Sequence, residues 1–142
     1  MQKTHSRKRI VVTALALASA VFAVSFGLGP VTAQQPTVQR KVLLTQDLAA
    51  IPGYQMVMVA VEIPPGGREG RHTHPGALMG YVQEGILTLD DEGKATMTYK
   101  PGDSFFVKAG NIHEGSNIGT STVKALATFV VEKGKPLTTQ VQ

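Results

Sequence analysis

Apolar and polar residues alternate with a period of two along much of this chain. The clearest case is the segment 54–63, where Val57, Val59 and Val61 point to one side and Met58 points to the other. Alternation of this kind, rich in β-branched residues, is typical of a strand with one buried face. The pattern therefore predicts a β-strand, which Pro64 ends.

The rest of the chain repeats this pattern in short pieces separated by turns. Turn residues recur about every 8–12 positions, and no long helical pattern follows residue 33. We expect a hairpin around Glu84-Gly85 and a second tight turn at residues 90–93. Together these features predict an all-β sandwich or barrel. The further predicted strands are 42–44, 78–82, 86–89, 95–99, 104–107, 111–117 and 123–131.

The first 33 residues have the composition of an export signal. A basic segment, 1–9, is followed by an uncharged and mostly apolar run, 10–28, and by small residues ending at Ala33. This order predicts a cleavable signal peptide, 1–33, and a secreted or periplasmic protein. The alternative is an uncleaved membrane anchor, because the apolar run is close to the ~20 residues that span a bilayer.

The charge of the chain changes when this leader is set aside. Four of the 14 basic residues and none of the ten acidic residues lie in it, so residues 34–142 carry ten of each and are formally neutral. No basic surface is therefore expected for nucleic acid, nor for stable membrane association after cleavage. The chain has no cysteine, which excludes disulfides and thiolate-bound cofactors.

Three of the four histidines follow the leader, and their spacing suits one metal ion. His72 and His74 are two residues apart, so on a strand their side chains face the same side. His113 comes from a distant strand. Three imidazoles would leave coordination positions open for water or substrate, as catalytic metal sites do. The alternative is that each histidine is an ordinary core or surface residue. We predict that His72, His74 and His113 bind a metal.

The histidines lie in two glycine-punctuated motifs separated by the spacer 86–101. With these motifs the chain resembles the cupin superfamily, whose fold is a small double-stranded β-helix barrel. The resemblance covers about residues 56–131. The matching residues are Gly66, His72, His74 and Gly85 in the first motif, and Gly102, Gly110, His113 and Asn117 in the second.

Two positions depart from the family motifs. The glutamate of the first motif would fall at Leu78, and the proline of the second is Lys108. Glu69 and Glu84 are the acidic residues nearest to the histidine pair, but only an unusual path of the chain would bring either to the metal. The resemblance thus implies a ligand set of three histidines. The rival interpretation is a decayed site that binds metal weakly or not at all.

The resemblance implies one divalent transition metal: iron, copper, nickel, manganese or zinc. Three-histidine cupins include oxygenases, so an oxygenase acting on a small organic substrate is the leading prediction. The alternative is a non-enzymatic module that binds a small ligand or a metal. Cupins commonly pair, and the apolar strand at 123–131 would need cover as an edge strand, so we expect a homodimer.

The predicted organisation has one folded domain after the leader. An N-terminal extension, 34–54, precedes a cupin barrel, 55–132. A polar C-terminal tail, 133–142, follows it.

Overall fold

The computed structural model describes residues 36–141, which form β-strands joined by turns and loops. All strand pairs are antiparallel, and the all-β prediction is confirmed. The strands are β1 (Gln39–Asp47), β2 (Tyr54–Ile63), β3 (His72–Thr73), β4 (Ala77–Glu84), β5 (Leu87–Asp91), β6 (Met97–Tyr99), β7 (Ser104–Val107), β8 (His113–Ser116), β9 (Val123–Glu132) and β10 (Thr139–Gln140).

The strands make two five-stranded sheets. The first has the order β1-β2-β9-β4-β7, and the second has the order β10-β3-β8-β5-β6. The chain passes from one sheet to the other several times, so strands that are neighbours in sequence are often in different sheets. This arrangement places β3 and β8 side by side, with His72 directly opposite His113.

The core lies between the inner faces of the two sheets. The alternating residues of β2 are buried as predicted, with Val57, Val59 and Ile63 each at most 5% exposed. Side chains of the other strands pack against them, among them Leu89 and Phe129. Burial of this apolar surface is the main force that holds the two sheets together. The same inner face lines the cavity described below.

The predicted hairpin around Glu84-Gly85 is wrong. Strands β4 and β5 lie in different sheets, since β4 pairs with β7 and β9 while β5 pairs with β6 and β8. Gly85 has a φ of +73° and carries the chain from one sheet to the other. A Cβ at this position would also come within 2.7 Å of the Thr122 carbonyl oxygen. Both the positive φ and the lack of space therefore require glycine here.

Strand β9 is not an edge strand, contrary to our expectation. It lies between β2 and β4, and both of its edges are paired. The argument that β9 needs a covering partner is therefore wrong, and the homodimer stays a prediction. The outer face of this sheet exposes Met79, Tyr81 and Phe106.

Both segments that we placed outside the barrel contribute strands to the sheets. β1 falls in the predicted extension, 34–54, and pairs with β2, while β10 falls in the predicted tail, 133–142, and pairs with β3. The predicted signal peptide, 1–33, lies outside the described residues, so its cleavage and export stay predictions. Within residues 36–141, no helix has the length and apolar character needed to cross a bilayer.

Candidate metal centre

The structure brings the three predicted histidines together on the inner face of the second sheet. Their side chains are buried, with exposures of 2% for His72, 5% for His74 and 4% for His113. The ring centroids lie 4.3 to 4.8 Å apart, and one potential ligand atom from each ring lies within 4.8 Å of the others. The group could therefore hold a metal ion.

Hydrogen bonds to the backbone fix the orientation of all three rings. In each ring Nδ1 bonds to a carbonyl oxygen. A carbonyl can only accept, so Nδ1 must carry the proton and Nε2 keeps its lone pair. Backbone partners of this kind orient the imidazoles of metal sites. The bonds run from His72 to Gly70 at 2.7 Å, from His74 to Leu137 at 2.6 Å and from His113 to Asn111 at 3.0 Å.

The surroundings of the His74 and His113 rings favour the neutral imidazole, which is the form that binds metal. Burial lowers the pKa of His74 to about 4, and the neighbouring histidines add to this effect against the hydrogen bond to Leu137. Burial is also the main cause that lowers the pKa of His113. The ring of Phe129 packs edge-on against His74 at 4.7 Å between centroids and contributes to the apolar environment.

The donor set fits a transition metal. Imidazole nitrogens suit zinc, copper, iron and nickel. Three nitrogens that share an ion in a tetrahedral arrangement, at bonds of ~2.0–2.1 Å, lie about 3.4 Å apart. The three ligand atoms lie within 4.8 Å of one another, so no two of them need to approach by more than ~1.5 Å to bind the same ion.

The histidines lie on the wall of a cavity of about 160 Å³ between the two sheets. Leu78, which stands at the position of the family glutamate, is part of this wall and is 5% exposed. A carboxylate at position 78 would thus lie on the wall of the same cavity as the imidazoles, and the leucine makes this part of the wall apolar. Other lining residues are Val59, Leu89, Phe105 and Phe129, with Arg40, Glu69 and Thr138 as polar members.

Ion pairs and hydrogen bonds hold the segments that carry the histidines. Glu114, buried on β8, binds the Arg68 guanidinium and accepts a hydrogen bond from the Gly70 amide at 3.2 Å. Asn111, whose carbonyl holds His113, donates through its side chain to Asp91. These contacts fix both ends of the β3–β8 pair, where the imidazoles meet.

The structure separates the two glutamates that the sequence left unassigned. Glu84 lies on the surface and pairs with Lys124 at 3.0 Å. Glu69 lines the cavity, because the loop before β3 turns its side chain inward. Lys108, at the position of the motif proline, is exposed. The structure thus contains the unusual path of the chain that brings Glu69 to the cavity.

Sequence reasoning missed two further contributors to the site. Arg40 comes from β1 and Leu137 from the segment before β10, both in parts of the chain that we placed outside the barrel. Leu137 acts on His74 through a backbone carbonyl, which has no sequence signature. Arg40 could have been suspected only if β1 had been recognised as a strand that begins before Val42.

The histidine burial predicts that the metal-free protein loses stability as the pH falls. Unfolded histidine titrates near pH ~6.5, whereas His74 in the folded state titrates at about 4. Between these values the unfolded state binds more protons, so the free energy of unfolding decreases as the pH drops, by up to ~3 kcal/mol for this group.

Urea denaturation of the metal-free protein at about pH 7 and about pH 5 measures this decrease. His74→Leu is the control, and its midpoint should fall less over the same interval. Equal decreases in the two proteins would show that the pKa of His74 is not lowered by folding.

Sequence comparison identifies the family. The profile of the cupin domain matches residues 59–135, which is more than half of the chain. The chain is a cupin. No curated protein is significantly similar to this cupin in sequence.

Three solved structures with the same fold are 20 to 23% identical to this cupin. An uncharacterised protein with a double-stranded β-helix domain from Klebsiella pneumoniae has a TM-score of 0.59 and 21% identity, with 87% of this chain and 100% of that chain covered. The polyketide cyclase RemF from Streptomyces resistomycificus has a TM-score of 0.58 and 23% identity, with coverage of 74% and 71%. The predicted double-stranded β-helix is confirmed.

A third structure is the DMSP lyase DddQ from Ruegeria pomeroyi, with a TM-score of 0.55 and 20% identity. The match covers 61% of this chain and 43% of the lyase, so this cupin spans less than half of that protein. The names of the cyclase and the lyase show that enzymes occur among proteins of this fold. At these identities the likeness establishes the fold of this cupin.

Proposed function

We propose that this cupin holds one divalent transition metal on His72, His74 and His113 and oxidises a small organic substrate with dioxygen. The observation that carries the proposal is the hydrogen bonding of the rings. Each Nδ1 is bonded to a carbonyl, so each Nε2 keeps its lone pair, and one potential ligand atom from each ring lies within 4.8 Å of the others on the wall of one cavity. A bound metal would supply open positions where substrate and dioxygen meet.

The cavity limits the size of the substrate. Its volume of about 160 Å³ is close to that of an apolar cavity of ~150 Å³ that holds one benzene molecule. Val59, Leu89 and Phe129 offer apolar contacts to such a ring. A single-ring compound such as a catechol, or a small thiol, therefore fits better than a three-ring flavonol.

The residues of this chain have defined roles in the proposal. The histidines bind the metal, and the carbonyls of Gly70, Leu137 and Asn111 keep their rings in place. The apolar walls exclude water and hold the substrate body. We also propose that the protein is exported. This part of the proposal is supported only by the composition of residues 1–33.

Oxygen consumption tests the reaction. We expect the iron-loaded protein to take up dioxygen with a catechol or a small thiol and much less with a flavonol. The His113→Ala variant, treated with the same amount of iron, is the control for unbound iron. Its rate of oxygen uptake should not exceed that of the same iron in buffer without protein. Uptake with none of these compounds by a protein that does bind metal would contradict the oxygenase proposal and favour the non-enzymatic binding module.

A further inference from the structure

Glu69 projects into the cavity beside His113 through a specific local packing. Its amide donates to the Gly115 carbonyl at 2.9 Å, which ties the loop to β8. Gly115 is two residues after His113, so both face the same side of the strand. A Cβ at Gly115 would come closer than 3.0 Å to Oε2 of Glu69. The glycine thus leaves the space that the carboxylate occupies on the histidine face.

Arg40 holds this carboxylate from the other side. Its Nη2 donates to Oε1 of Glu69 at 2.9 Å, and both residues line the cavity. The Glu69 side chain is 15% exposed, whereas that of Arg40 is 39% exposed. Oε2, the oxygen over Gly115, is therefore the one turned toward the interior.

The charges of this pair lie on the wall of the cavity that holds the imidazoles. A carboxylate there attracts a cation bound by the histidines, whereas a guanidinium beside it repels the same cation. The two charges thus act on a bound ion in opposite directions.

The ligand set needs a negative charge that the histidines do not provide. Three neutral imidazoles leave a divalent ion with its full charge in an apolar cavity, and a buried charge is costly unless it is paired. The family motif would supply a carboxylate at position 78, but this chain has Leu78 there.

We propose that Glu69 supplies the negative charge that balances a metal ion held by the three histidines, and that Arg40 limits how much of that charge the ion receives. This inference rests on the proposed metal site. It assigns to Glu69 a role outside the ligand set, because its carboxylate is not among the converging ligand atoms.

The affinity for Zn²⁺, measured by competition with a chelator, tests this role. We expect Glu69→Gln to weaken Zn²⁺ binding about tenfold, a typical effect for a partner outside the ligand shell. Arg40→Met removes a repelling charge from the same pair and should strengthen binding. Glu69→Gln keeps the size of the side chain, and Arg40→Met tests the same claim from the other partner.

The exposed pair of Glu84 and Lys124 provides matched controls. Glu84→Gln and Lys124→Met break an ion pair of the same kind away from the cavity. Because this pair does not line the cavity, the Zn²⁺ affinity of both variants should equal that of the wild type.

Weaker Zn²⁺ binding in Glu69→Gln together with stronger binding in Arg40→Met would show that the pair acts through its charges. If the pair only held the loop in place, breaking it from either side would weaken binding alike, and that result would overturn the inference. Unchanged affinity in Glu69→Gln, with binding lost in His113→Ala, would overturn the role of Glu69 and leave the metal site intact. A wild-type protein that binds no metal would remove the proposed function itself.

Discussion

Replacing His113 by alanine is expected to weaken the binding of Zn²⁺ by at least ~100-fold. Structural zinc sites with four ligands bind with about 10–16 kcal/mol, so one ligand contributes roughly 3 kcal/mol. A loss of that size corresponds to about two orders of magnitude in affinity. The variant also leaves the Asn111 carbonyl without its imidazole partner, whose hydrogen bond is 3.0 Å long.

Calorimetric titration of the metal-free proteins with Zn²⁺ measures this loss. Thr88→Val is a suitable control, because it changes a partly buried side chain on neighbouring β5 that does not line the cavity. The control should bind like the wild type. Comparable affinities in His113→Ala and the wild type would mean that the ion binds elsewhere.

Replacing Leu78 by glutamate is expected to produce the second large effect, on stability. Leu78 is 5% exposed and packs in the core cluster with Val107 and Phe129. A carboxylate there is buried in an apolar environment and costs several kcal/mol without a partner. The free energy of unfolding of the metal-free variant should therefore fall by more than ~3 kcal/mol.

Zn²⁺ should restore much of this stability, because position 78 lines the same cavity as the imidazoles and the ion would pair with the new carboxylate. Leu78→Gln is the matched control: it has a similar size and polarity without the charge. Denaturation midpoints with and without Zn²⁺ distinguish the two variants. Equal recovery by glutamate and glutamine would contradict the placement of a metal in the cavity that Leu78 lines.

The histidine pair at the site could be predicted from the sequence because the spacing of its two residues is a local signal. His72 and His74 are separated by the repeat of a strand, and the sheet needs only to bring β8 alongside for His113 to join them. The strands 54–63 and 104–107 were likewise predicted with the bounds that the structure shows, because alternation and turn residues are local signals.

The pairing of the strands could not be predicted in the same way. β4 and β5 both alternate, and alternation does not record which partner a strand chooses. The transfer at Gly85 to the other sheet depends on its positive φ and on the nearby Thr122 backbone. Both properties exist only in the folded chain, so a local hairpin was the simpler prediction.

The inner contacts of the site depend on long-range packing as well. Glu69 reaches the cavity because Gly115, distant in sequence, leaves room for its carboxylate. The Leu137 carbonyl reaches His74 because β10 pairs with β3. Neither residue has a side-chain pattern that indicates its role. The three histidines could therefore be predicted from the sequence, but the residues that contact them could not.

The metal content of the wild-type protein tests the central claim most directly. The protein should be purified anaerobically without chelators and analysed for iron, copper, nickel, manganese and zinc, with His113→Ala purified alongside. We predict close to one divalent ion per wild-type chain and a strong loss in the variant. A wild-type protein that carries none of these metals, and takes up none when each is offered, would contradict the account.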